Sequence, residues 1–220
     1  DQKPPTLYDA LFLNPQEGIA VGAFGLMLRT ADAGKSWQRV DNPLTALGFH
    51  INALRRLGDG SLMLVGEQGL VGYSRDAGQT WLYAASPYAG SFYGVLPLGA
   101  KGAVLFGQRG RVYVVDDLTR LRPGDPDALD PLNSVGLDDA QAAAMGFRRV
   151  TPVSTDTLFT GIALAQGGYL LAGAEGALLR LDAQAAALQL VSRESTSTFT
   201  ALLQDGERVL AASGSGIRVL

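Results

Sequence analysis

Val21-Gly22-Ala23-Phe24-Gly25, followed by Leu28-Arg29-Thr30-Ala31-Asp32-Ala33-Gly34-Lys35-Ser36-Trp37, decides the reading of this chain. An apolar run enters a Gly-x-x-Gly turn, a second run leaves it, and an Asp-Gly turn follows. The Gly-x-x-Gly element returns as Val65-Gly66-Glu67-Gln68-Gly69, Phe106-Gly107-Gln108-Arg109-Gly110 and Ala172-Gly173-Ala174-Glu175-Gly176. A weaker fifth copy is Ala212-Ser213-Gly214-Ser215-Gly216. Successive copies are 44, 41, 66 and 40 residues apart, so one repeat carries an insertion. A period of roughly 40 residues with four short strands per period is the signature of a propeller blade.

Upstream of each glycine element lies a second recurrence. It reads Tyr8-Asp9-Ala10-Leu11, Ile51-Asn52-Ala53-Leu54, Phe92-Tyr93-Gly94-Val95, Phe159-Thr160-Gly161-Ile162 and Phe199-Thr200-Ala201-Leu202. In this alignment the third position is always Ala or Gly, which implies close backbone approach where innermost strands converge. The expected fold is an all-β propeller of four-stranded antiparallel blades in one domain. Blades are expected at about 7–41, 49–85, 91–151, 158–192 and 198–220, with an insertion at about 118–146 in the third. Pro123, Pro126 and Pro131 make the first part of the insertion loop. Leu137 to Met145 has the composition of one short helix.

Two repeats carry a longer motif, Thr30-x-Asp32-x-Gly34-x-Ser36-Trp37 and Ser74-x-Asp76-x-Gly78-x-Thr80-Trp81. The Asp carboxylate is suited to accept N–H groups of its own turn, the Gly to take positive φ, and the Trp to bury a large ring. The third and fourth repeats keep only strand-like flanks, Phe147-Arg148-Arg149-Val150 and Leu188-Gln189-Leu190-Val191. With Ile19-Ala20-Val21-Gly22-x-x-Gly25-x-x-Leu28-Arg29-Thr30 preceding the Asp-box, the chain resembles the Asp-box (bacterial neuraminidase repeat) propellers. More narrowly it is similar to the photosystem II assembly/stability factor-like family. The resemblance implies a propeller, usually seven-bladed, acting without catalysis as an assembly or scaffolding factor. The implied partner is a membrane protein or membrane complex, and the implied setting is export to the periplasm.

Composition excludes several other classes. The chain is 47% hydrophobic and 18% charged, so it can bury a core. Its net charge of −3 gives no electrostatic case for nucleic acid. There is no cysteine and a single histidine, His50, so disulfides, thiolate chemistry and multi-histidine metal sites are out. No cofactor or metal is expected. Asp116-Asp117 and Asp138-Asp139 lack the spacing of a Ca²⁺ loop. The alternative reading is a carbohydrate-active enzyme or lectin, sialidase-like or another glycosidase, since Asp-box turns occur there too. Tyr113 and Tyr169 have no evident Glu partner. The best paired acids would be Glu67 and Glu175, which read more simply as hairpin residues. Trp37 and Trp81 read as core residues, not sugar platforms. Arg55-Arg56, Arg109-Arg111 and Arg148-Arg149 are the residue pairs most suited to an interface, although ordinary solvated arginines are the simpler reading.

Alternating strand direction puts the Asp-box turns on one face of the disc and the glycine hairpins on the other with the inter-blade connections. The Asp-box turns are committed to internal hydrogen bonds, and the hairpin tips vary freely. Partner binding is therefore expected on the hairpin face, through Phe24, Glu67, Gln68, Arg109 and Glu175. The fifth repeat lacks a fourth strand, and Asp1 to Thr6, with two prolines, is a poor candidate to supply it. The repeat pattern leads us to expect a fragment of a longer propeller, with two further blades; the competing reading is a five-bladed ring whose last blade has three strands.

Overall fold

The computed structural model describes residues 6–125, 137–193 and 197–220. Blade one comprises β1 (Leu7–Phe12), β2 (Gly18–Gly22), β3 (Met27–Thr30) and β4 (Gln38–Arg39). Blade two is β5 (Ile51–Arg56), β6 (Leu62–Gly66), β7 (Val71–Ser74) and β8 (Leu82–Tyr83). Blade three is β9 (Phe92–Leu98), β10 (Gly102–Gly107), β11 (Val112–Val115) and β12 (Arg148–Val150). Blade four is β13 (Leu158–Ala163), β14 (Tyr169–Gly173), β15 (Ala177–Leu181) and β16 (Leu188–Arg193). Blade five has three strands, β17 (Phe199–Asp205), β18 (Arg208–Ser213) and β19 (Gly216–Val219). Every pairing is antiparallel between strands consecutive in sequence, the meander of a propeller.

Second strands form the heart of the packing. Every residue of β2, β6, β10 and β14 is buried, which explains their unbroken apolar runs. Side chains from adjacent blades meet between the sheets: Ile19 and Met27 pack with Leu54, Leu62 and Trp81, and Val104 and Phe106 with Leu158 and Leu171. The innermost strands pack in chain order, β1 on β5, β5 on β9, β9 on β13 and β13 on β17. The flanks of the first and fifth blades face solvent instead. Phe12 is 46% exposed, Leu203 61% and Ile217 76%. The five blades are set in a ring about the axis, and blades one and five do not bury these apolar side chains on each other.

Two short α-helices sit in the connections among the described residues. Asn42 caps α1 (Pro43–Ala46) with a reciprocal capping box to Thr45, and Leu44 is driven into the core. The helix expected in the insertion is α2 (Asp139–Ala144), capped by Asp138 with Gln141. Pro126 and Pro131 lie outside the described residues, as do Asp1 to Pro5 of the segment considered for a closing strand.

The ladder corrects the alignment of the innermost strands. Leu7 pairs with Gly22, Ile51 with Gly66, Phe92 with Gly107, Leu158 with Gly173 and Phe199 with Ser213. Equivalent third positions are therefore Asp9, Ala53, Gly94, Thr160 and Ala201, not always small. The first and fourth repeats had been set one residue out of register. In every blade the ladder slips between the first and third of these positions, a β-bulge. The residue left unpaired is Tyr8, Asn52, Tyr93, Phe159 or Thr200, and bulges re-aim the side chains they carry.

Candidate partner-binding face

The Gly-x-x-Gly element is a two-residue turn with both central residues in the left-handed region, the signature of type I′. Phe24 (φ 53°), Gln68 (51°), Arg109 (58°) and Glu175 (53°) take the first central position, each followed by a positive-φ glycine. The first glycine of the motif is extended, so backbone freedom is not its purpose. A Cβ on Gly22, Gly66, Gly107 or Gly173 would lie 1.9 to 2.2 Å from the carbonyl of the residue before the innermost strand. The next N–H instead bonds that carbonyl: Ala23 to Thr6, Glu67 to His50, Gln108 to Ser91 and Ala174 to Thr157. Hairpins and inter-blade connections are thereby stitched into one face. The fifth hairpin does not follow this geometry: Ser213 stands where the first glycine would, and Ser215 is not in the left-handed region.

On the opposite face the two Asp-boxes are near copies. Thr30 Oγ1 donates to Asp32 Oδ1 (2.8 Å) and accepts Gly34 N–H (2.9 Å). Asp32 accepts Ser36 N–H (2.9 Å) and Ser36 Oγ–H (2.6 Å). Ser74, Asp76, Gly78 and Thr80 repeat the pattern at 2.8, 2.8, 2.9 and 2.6 Å. Ala33 N–H bonds Gln16 O, which places this turn beside the turn between β1 and β2. The fourth blade keeps the chemistry without the motif, since Asp182 accepts Ala186 N–H and Ala187 N–H. Trp81 is buried against blade one, as expected. Trp37 is only partly buried, contrary to its reading as core, because its blade has an open flank; its ring meets that of Phe12 edge-on at 6.2 Å.

Hydrogen bonds from Ser36 and Thr80 hold the Asp32 and Asp76 carboxyls down at about 2. A depressed carboxyl contributes stability above its unfolded value of 3.8 and loses it as pH falls toward 2. Asp76→Asn is therefore expected to melt below the parent at pH 7 and to converge with it near pH 2. Thermal melts across that range check this, and a gap independent of pH would contradict it.

Two pockets open on the hairpin face. The first lies at the axis and is walled by the bulge residues Tyr8, Asn52, Tyr93 and Phe159, with His50 and Glu67 beside them. Its volume is about 340 Å³, and it continues into an axial cavity lined by all five innermost strands. Tyr93 and Phe159 stack at 5.1 Å with a 51° tilt. Glu67 is more than a solvated turn residue: it accepts His50 N–H (2.9 Å), and Oε1 lies 3.3 Å from His50 Nδ1. Phe24, 74% exposed, caps the cluster edge-on to His50 at 4.8 Å. Deeper in, Asp9 is held by Arg55 and Leu54 N–H.

The second pocket sits towards the rim and is formed by Tyr88, Arg109, Arg111, Tyr113 and Arg149. Arg149 is bound to Asp139 at 2.7 Å, and Arg148 to Asp116 and the Ala185 carbonyl. Arg109 and Arg111 make no ion pair among the described residues. Burial raises the Tyr88 and Tyr113 phenols above their usual value, so both stay protonated donors at neutral pH.

Of the five residues expected on this face, the structure brings Glu67 into the axial pocket, Phe24 beside it against His50, and Arg109 to the rim pocket. Gln68 and Glu175 stand on hairpin tips outside both. The bulge residues are the site members that sequence reading missed. Their signal is spacing: Leu7, Ile51, Phe92 and Leu158 each precede the first hairpin glycine by fifteen residues, and the bulge residue follows.

Comparison with known proteins agrees with this architecture. A YCF48 structure bound to D1 peptide superposes with TM-score 0.69 at 16% identity, over 98% of this chain and 63% of that one. YCF48 from Cyanidioschyzon merolae gives 0.68 at 17% identity, over 98% and 66%. The β-propeller domain of Cps50 (Swd1) from Myceliophteria thermophila gives 0.65 at 11%, over 100% and 72%. The chain spans less than two thirds of the length of either YCF48 structure. No curated protein matches the sequence. The profile of the photosynthesis system II assembly factor YCF48 family matches residues 2–121, more than half of the chain and both complete Asp-boxes, and the chain belongs to that family.

Proposed function

We propose that this propeller is a non-enzymatic binding module that holds an extended segment of a membrane-protein partner on its hairpin face. In doing so it assists the assembly or stability of the partner's complex, working as an exported, periplasmic protein. The observation that carries the reading is the pairing of an exposed aromatic pocket with two arginines that make no ion pair among the described residues on one face, while the opposite face spends its polar groups on its own turns. The connection from Ser86 to Ser91 links the two pockets, with Tyr88 at the rim and Tyr93 just beyond it at the axis. A related propeller has been captured with a peptide, which supports recognition of an extended segment. Among the described residues no helix is long and apolar enough to cross a membrane. The carbohydrate alternative is not favoured. Asp9 is held by Arg55, so among the described residues Glu67 has no second free carboxylate at the axis to complete an acid and nucleophile pair.

Arg109→Glu is expected to lower partner affinity at least tenfold and leave the melting temperature within about 1 °C, as surface substitutions do. Co-purification of the tagged protein with solubilised membranes, paired with melts of the free protein, checks both halves. Unchanged capture by a folded Arg109→Glu, Tyr93→Ala double variant would remove the hairpin face from the account.

A further inference from the structure

The axial pocket has a chemistry of its own, set by which of its polar atoms remain available. Tyr8, Tyr93 and Phe159 reach it from the bulged position of three separate blades and supply aromatic walls. The charged groups facing it are Glu67, His50, Asp9 and Arg55. Arg55 is neutralised by Asp9 and donates to the Leu54 carbonyl, 2.7 Å away. Glu67 is the carboxylate left at the mouth beside His50, and its side chain is 38% exposed. Asn52 donates through Nδ2 to the Phe92 carbonyl (2.8 Å), which fixes the amide orientation and leaves Oδ1 as an acceptor with no donor among the described residues. Aromatic faces, a carboxylate and a free carbonyl oxygen are complementary to a positively charged donor.

We propose that the axial pocket receives one cationic side chain, the lysine or arginine of an extended segment. The aliphatic stem lies between Tyr93 and Phe159 on one side and Tyr8 on the other, and the charged head meets Glu67 and Asn52. This deepens the hairpin-face reading, on which it rests, by naming the side chain that enters the axis. The volume of about 340 Å³ accommodates one long side chain and not a folded domain.

The test is an NMR titration of the whole chain with three capped tripeptides, acetyl-Gly-X-Gly-amide, where X is lysine, norleucine or glutamate. The lysine peptide is expected to bind at least tenfold more tightly than norleucine, and the glutamate peptide not at all. Glu67→Gln should weaken lysine binding at least fivefold without moving norleucine binding. Glu207→Gln, in the distant turn between β17 and β18, should change neither. Equal or tighter binding of norleucine, lysine binding indifferent to Glu67→Gln, or no binding of any peptide would each overturn the proposal. Capture of the membrane partner is measured separately on the same samples. Capture without lysine selectivity removes this inference and leaves the functional reading standing. Lysine selectivity without capture does the reverse.

Discussion

Gly69→Ala is expected to lower stability by about 3–5 kcal/mol, a large share of what a domain of this size has. Two effects add. Gly69 holds φ +72°, and a Cβ there would lie 1.7 Å from the Tyr88 carbonyl oxygen. Left-handed strain costs about 1–3 kcal/mol, and forcing a packed backbone apart costs about as much again. Gly69 N–H also bonds the Gly90 carbonyl at 2.9 Å, so any shift that relieves the clash breaks a tether between hairpin and connection. Gly206→Ala separates the two effects. It has φ +61° with nothing within 4 Å of the added methyl, so only the strain of about 1 kcal/mol applies. Urea denaturation of both variants measures the difference, and equal losses would show that close approach plays no part.

Trp81→Ala is expected to cost about 3–5 kcal/mol, the range for deleting a large buried aromatic. Its ring is 4% exposed and lies among Ile19 of blade one and Leu62 of its own blade, so the substitution opens a void between two blades. Trp37→Ala removes the same residue from the same motif and should cost only about 1–2 kcal/mol, because that ring is only partly buried on an open flank. Melts of the two variants compare them. Similar losses would mean that the Trp works within its own turn and not across the blade interface.

Most of the fold was legible because a propeller repeats its solutions. Gly22, Gly66, Gly107 and Gly173 recur for one physical reason, a carbonyl about 2 Å from where a Cβ would stand. The Asp-boxes are legible because Asp32 and Asp76 satisfy their own turns locally. The register of the innermost strands was not legible, because a bulge shifts alternation by one residue and leaves no composition of its own. Small residues at Ala10 and Gly161 therefore stood in for Asp9 and Thr160. That slip hid the axial site, since it aligns Tyr8 and Phe159 with Ile51 and Phe92 and not with Asn52 and Tyr93, their true equivalents. The rim pocket was half legible. Arg109 was read from its hairpin, but its separation from Arg148 and Arg149 depends on Asp116 and Asp139, remote ion-pair partners that no local pattern reveals.

The assignment of recognition to one face can be tested directly by site-specific photo-crosslinking. A photoreactive residue is placed at Arg109 or Gln68 on the hairpin face, or at Lys35 or Gln79 in the Asp-box turns, and the protein is illuminated with its native membranes. The account predicts a crosslinked membrane protein from positions 109 and 68 and none from 35 and 79. Crosslinking to that protein from 35 and 79 alone would contradict it.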